Sequence, residues 1–260
     1  MVLMTFAFSV IGMMNGCSDP TDSTDLGPQF DVGIYTGPGA FGESVKACFA
    51  AVRVAGFTCD TLTLNEISDV KMGRFAAILF AGGDAHFYSD AIGPVGRGHI
   101  RNYVADGGGY IGFGAGGAFA ASDSGTWPGV GVIPGTTRYP SERIVSNPYY
   151  GIVEIRRAPS YRDVAKAETY QTLYQGGPEF FPTNAFGLTV DYLYGQVGTA
   201  AAVGNEYGLG NVWVAGFQPE IEEGNPRDST SFGDDLADID TEWDLIEAAL
   251  QNVVTYANRN

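Results

Sequence analysis

Basic charge is scarce in this chain: 14 Lys and Arg stand against 30 Asp and Glu, leaving a net charge of -16 over 260 residues. Such a surface repels phosphate backbones and anionic lipid headgroups, which argues against nucleic acid as a partner. Histidine and cysteine are also rare, with two and three copies. No CxxC pair or Cys/His cluster exists, so neither a zinc site nor any other metal centre is expected, and no cofactor motif stands out. The 37 glycines follow no G-X-Y period, which excludes collagen. No internal repeat is present, nor any linker after residue 29, so one domain over residues 30–260 is expected. A hydrophobic share of 45% excludes wholesale disorder and supplies one sizeable core at this length.

Long apolar runs are missing as well. The longest, Val2 to Met14, falls short of the ~20 residues that span a bilayer. It suits the apolar region of a signal peptide, and Met1 to Gly16 carries no charged side chain. Asn15-Gly16-Cys17 follows, then a polar, acidic tether over residues 18–29. This layout resembles a bacterial lipoprotein signal. It implies a signal peptide over residues 1–17, lipid on Cys17, and anchoring outside the cytoplasm on the cytoplasmic or outer membrane. The membrane is then met only through that lipid. The remaining thiols, Cys48 and Cys59, are placed mid-helix and at the opening of a strand. That separation exceeds the ~7 Å Cα limit for a bridge and predicts two buried, unpaired thiols.

From Phe30 the pattern is regular. Strands are expected over Asp31–Tyr35, Thr58–Leu64, Phe75–Phe80 and Tyr110–Phe113, with helices over Glu43–Ala55, Gly96–Ala105 and Ala118–Ala121 between or after them. The alternation predicts a three-layer, doubly wound, mostly parallel α/β sheet. The second half offers strands over Ile152–Ile155, Gln171–Gln175 and Leu188–Leu193, and a hairpin from Thr199–Val203 to Asn211–Ala215. A last helix runs from Glu242 to about Tyr256, capped by Asp240 or Thr241. The spacing Asp238-x-Asp240-x-Glu242 fails as a calcium loop, because its sixth position is Trp243 and its twelfth Ala249. A solvated acidic face fits it better.

The most informative stretch is Gly109-Tyr-Ile-Gly-Phe-Gly-Ala-Gly-Gly117. A strand entering a glycine-flanked sharp turn before a helix is the nucleophile-elbow arrangement, with the helix N-terminus aimed at negative charge. Together with Gly82-Gly83 and Tyr88, Ile100-Arg101-x-x-Val104-x-x-Gly107-Gly108, Pro134-Gly135-Thr136, Tyr174-x-Gly176-Gly177 and Gly216-x-x-Pro219-Glu220, the chain resembles the amino-terminal domain of biotin-protein ligases. That family is a branch of the class I glutamine amidotransferase-like superfamily, whose sheet is flavodoxin-like. The resemblance runs from about Phe30 to Leu250. In that family the elbow reads Gly-Phe-Cys-Ala-Gly and the late motif His-Pro-Glu. Here the nucleophile position is Gly114, the base position Gln218, and the acid position Glu220. Only the acid survives. The family usually has Ala-Asp after the paired glycines, where this chain has Asp84-Ala85.

A glycine has nothing to attack with, and a glutamine amide takes no proton at neutral pH. The resemblance therefore implies a domain with no intact triad. The backbone N–H groups of Gly83 and Ala115 are expected to face the pocket that holds an oxyanion in active relatives, with Gly82, Asp84, His86, Tyr88 and Gly116 around it. Such a pocket would bind a small carbonyl- or carboxylate-bearing ligand, or a protein partner. Two alternatives stay open: a relocated active site built from His86, Ser122 and Asp84, and a ligand-free scaffold whose glycines serve only the turns. Biotin ligation is not expected, since relatives with that activity carry a separate ligase domain for which residues 30–260 leave no room.

Overall fold

The computed structural model describes residues 27–257, apart from 124–126, 162–163, 165 and 238–240. Cys17, the leader and most of the tether lie outside the described residues, as do Asp238 and Asp240. In chain order the elements are β1 (Phe30–Tyr35), α1 (Gly42–Val54), β2 (Cys59–Leu62), α2 (Asp69–Met72), β3 (Phe75–Phe80), α3 (Ala85–Ala105), β4 (Gly109–Phe113), α4 (Ala115–Ala120) and β5 (Ala121–Asp123). There follow β6 (Ile133–Arg138), β7 (Tyr150–Arg157), β8 (Thr169–Gln175), β9 (Glu179–Pro182), β10 (Thr189–Tyr194), β11 (Ala200–Tyr207), β12 (Gly210–Ala215) and α5 (Trp243–Ala257). No helix among them is long and apolar enough to cross a membrane.

The sheet runs β2-β1-β3-β4-β12-β11-β10-β7-β8, with β5, β6 and β9 branching from it. Its first five strands are parallel. Continuous apolar runs such as Phe75–Phe80, buried at every position, are what a parallel strand covered on both faces requires. Helices α1 and α5 cover one face through Val52, Leu245, Ile246, Leu250 and Val253. Helices α3 and α4 cover the other through Ile100, Val104, Ala118 and Phe119. The result is the doubly wound α/β sandwich that the alternation predicts. Beyond β12 the sheet turns antiparallel, and β11 and β12 form the expected hairpin. Its loop is only Gly208-Leu209, because Gly204 to Tyr207 belong to β11.

Three differences have local causes. Helix α3 begins at Ala85, eleven residues before the predicted Gly96. Asp84 caps it by accepting the N–H groups of His86 and Phe87 at 2.8 and 3.2 Å, and Gly93 (φ 66°) with Pro94 divides it into two segments. The Gly-Pro pair hides the first segment, since it reads as a loop. Strands β5, β6 and β9 carry no clear alternation and are stabilised by pairing with one another and with β11. Cys48 and Cys59 are both free, and Cys59 is only half-buried. Burial pushes both thiols above the ordinary cysteine range.

The junction of β4 and α4 depends on backbone packing. A Cβ on Gly116 would fall 2.0 Å from the Phe80 carbonyl oxygen. Backbone in the sheet centre cannot yield, so Gly116→Ala is expected to cost at least ~2 kcal/mol. Gly98→Ala on α3, where the nearest atom is the tip of Arg101 at 3.8 Å, should be neutral or slightly stabilising. Urea unfolding of the two variants checks this; equal midpoints would mean that the elbow backbone relaxes freely.

Candidate functional site

The elbow has the expected geometry. Gly114 sits at the apex between β4 and α4 with φ 51° and ψ -111°, and every residue from Gly112 to Ala120 is buried. Its N–H donates to the carbonyls of Ala215 and Phe217 at 2.9 and 3.2 Å, which ties the turn to the end of β12. The place where a nucleophile's side chain would begin is taken. A Cβ on Gly114 would lie 2.4 Å from Nε2 of Gln218.

Gln218 is held there by backbone. Its Oε1 accepts the Gln175 N–H at 2.9 Å, its Nε2 donates to the Gln175 carbonyl at 3.3 Å, and its own N–H donates to the Leu173 carbonyl at 2.9 Å. The side-chain amide thus pairs with the end of β8 as another peptide unit would. Glu220 does not orient it. That carboxyl is fully buried and accepts from the Ser44 hydroxyl, which in turn accepts the Gly82 N–H at 2.7 Å. Trp243 donates its indole N–H to the Glu220 carbonyl at 3.2 Å. The surviving acid therefore pins the Gly82-Gly83 turn through α1.

The predicted site residues divide into two groups. Gly83, Asp84 and His86 line a pocket of about 670 Å³. Gly82, Tyr88, Ala115 and Gly116 are buried and stand outside its lining. The Tyr88 hydroxyl donates to the Ala81 and Gly82 carbonyls at 3.1 and 3.3 Å, a bracing role. Ala115 and Gly116 lie in the packed elbow, and of the two backbone groups expected at the pocket only Gly83 belongs to a lining residue. Nor does a relocated triad assemble. Asp84 is the cap of α3, the Ser122 hydroxyl donates to the Ile133 carbonyl at 3.2 Å, and the His86 ring meets Trp127 edge-on at 5.7 Å. No hydrogen bond joins His86 to Ser122 among the described residues. Phe180 is core, whereas Phe186 is 96% exposed and lines no part of this pocket.

The pocket occupies the position that the topology favours. It opens between the loops after β1 and β3, adjacent strands from which the chain runs in opposite directions across the sheet, a switch point at the carboxyl edge. Gly83 forms an antiparallel bridge with Ala40, made by the bonds Phe41 N–H to Gly82 and Asp84 N–H to Gly39, at 2.9 Å each. That bridge does not use the Gly83 N–H, since the paired bonds fall on its flanks. Only glycine fits here, with φ 153° and a Cβ position 2.0 Å from the Gly39 carbonyl oxygen.

Among the other lining residues, Phe41, Phe87, Tyr139, Pro148, Tyr149 and Gln175 were given no role by the sequence reading. The 138–143 segment is fixed by Glu179, which is fully buried and accepts from Ser141, from Thr199 at 2.8 Å, and from Arg138 and Arg143 at 3.0 and 3.1 Å. Burial alone would raise this carboxyl, but the donors outweigh it and hold it below the usual range. The Tyr139 hydroxyl donates to the Gly83 carbonyl and accepts the Ala85 N–H, each at 3.3 Å. Only Tyr174-x-Gly176-Gly177 in the sequence pointed toward this wall.

The fold is similar to that of glutamine amidotransferases of known structure. Residues 30–125 match the family described as biotin-protein ligase, N terminal, which covers the motifs of the first half. A glutamine amidotransferase from Thermotoga maritima superposes with a TM-score of 0.59 at 10% identity, over 87% of this chain and 98% of its own. PurLQS from the same organism gives 0.58 at 16%, over 87% and 99%. Another glutamine amidotransferase gives 0.57 at 16%, over 75% and 93%. No curated protein matches the chain.

Glu220 yields a pH prediction. Burial is the main cause that raises its carboxyl from 4.5 to about 7, against the lowering effect of the Ser44 bond. Between those values the folded chain holds a proton that the unfolded chain has lost, so stability falls as pH rises through this window. Glu220→Gln removes the penalty while keeping an acceptor for Ser44. The variant should match the parent near pH 4.5 and exceed it by up to ~3 kcal/mol above pH 7. Urea unfolding across pH measures the difference; a pH-independent offset would place the titration elsewhere.

Proposed function

We propose that this chain is a catalytically inactive amidotransferase-like domain that binds a small molecule in the Gly83 pocket without turning it over. The contact between Gly114 and Gln218 carries the reading. Where a cysteine and an imidazole would exchange a proton, there is an apex without a side chain and an amide bonded to Gln175 in both directions. Neither Gly114 nor Gln218 belongs to the lining, so a ligand in the pocket meets Gly83, Asp84, His86 and the aromatic walls instead of the elbow.

A carbonyl oxygen suits the Gly83 N–H. A carboxylate suits the pocket less, because among the described residues no Lys or Arg lines it and Asp84 does. Purified protein should release no ammonia from glutamine above background. Turnover that survives purification and disappears in His86→Ala would replace this reading with the relocated-site one.

The proposed setting is outside the cytoplasm, on a lipid attached to Cys17. The motif Asn15-Gly16-Cys17 after an apolar run supports it. Intact mass of the protein from membranes should show loss of the first sixteen residues and gain of acyl chains. Cys17→Ala should move it to the soluble fraction, and an unchanged distribution would remove the anchor from the proposal.

A further inference from the structure

The pocket is unlike an anion site in its chemistry. Phe41, Phe87, Tyr139 and Tyr149 supply aromatic surface, Pro140 and Pro148 add apolar surface, and among the described residues neither lysine nor arginine lines it. Its one carboxylate is Asp84. Both cap bonds of Asp84 fall on Oδ1, so helix α3 makes no use of Oδ2. Outside the lining, Glu142 accepts from the hydroxyl of Tyr149 at 2.9 Å. Asp84 also acts on the aromatic wall: after burial, which is the larger cause, its charge helps push the Tyr139 phenol up to about 12. The whole chain adds a field of the same sign, with its net charge of -16.

We propose that this pocket selects a small organic cation, an alkylammonium group set against the aromatic faces with Asp84 as its counter-charge. Ring faces attract cations through their quadrupole, most strongly for weakly hydrated quaternary or tertiary amines. A carbonyl or hydroxyl oxygen on the same molecule then reaches the Gly83 N–H. The inference rests on the pocket reading above and adds the sign of the ligand's charge to it.

Three probes of nearly equal shape test it on the full-length protein: choline as the cation, 3,3-dimethyl-1-butanol as the neutral isostere, and 3,3-dimethylbutanoate as the anion. Calorimetric titration should show choline binding about tenfold more tightly than the alcohol, with the carboxylate weaker than both. Asp84→Asn keeps an oxygen for the helix cap and should bring choline down to the level of the alcohol while leaving the alcohol unchanged. Tyr149→Leu and Phe87→Leu should each weaken choline more than the alcohol. If the alcohol binds as tightly as choline, or the carboxylate more tightly, the charge preference is overturned while the ligand pocket stands. If none of the three binds, both the cation and the ligand pocket fall, and the inactive elbow is unaffected.

Discussion

The side-chain amide of Gln218 satisfies both backbone groups of Gln175, and most of the site's character follows from that exchange. It joins the end of β12, a parallel strand in the sheet centre, to the end of β8, which lies in the antiparallel extension. A buried polar group is tolerated only when bonded, and here each member satisfies the other. The amide is thereby held over Gly114. Its removal would leave the Gln175 N–H and carbonyl without these partners, which makes the plug part of the fold as well as part of the site.

Seen from this constraint, the glycines around the elbow divide by cause. Gly116 is required by the Phe80 carbonyl, and Gly83 by the Gly39 carbonyl, whatever the domain binds. Such close approaches belong to the architecture of a strand-turn-helix junction, so an intact glycine pattern carries no information about catalysis. The proposed inactivity rests on two other positions, 114 and 218, where the side chains and not the backbone decide.

That division also explains what could be read in advance. The parallel half was legible because buried runs such as Phe75–Phe80 and capped helices leave one-dimensional patterns. The elbow was legible because its turn needs small residues in a fixed order. The pocket walls were not. Phe41 comes from the loop after β1, and Tyr139 and Tyr149 from opposite ends of the long loop between β6 and β7, whose start is held by Glu179 through Arg138, Ser141 and Arg143. Strands β6 and β9 form by pairing, not by local pattern, so no window of sequence announces them. The first segment of α3 was lost for the opposite reason, since Gly93-Pro94 gives a strong local signal for a break that the structure bridges.

Glu220 shows how an acid can outlast the base it would have served. In a working triad a carboxylate orients an imidazole; here the carboxyl turns to Ser44, and Ser44 holds the Gly82 N–H. The carboxyl has no exposed surface, and one of its oxygens lacks a hydrogen-bond partner. Burial of that kind disfavours the ionised form, so at neutral pH the group resists carrying the charge that catalysis would demand of it. A protonated carboxyl still serves the Gly82-Gly83 turn, because the Ser44 bond needs an acceptor and not a full charge. The turn in turn presents Gly83 to the pocket. The carboxyl at 220 therefore supports the Gly83 side of the pocket through backbone geometry, and that support needs no imidazole at 218.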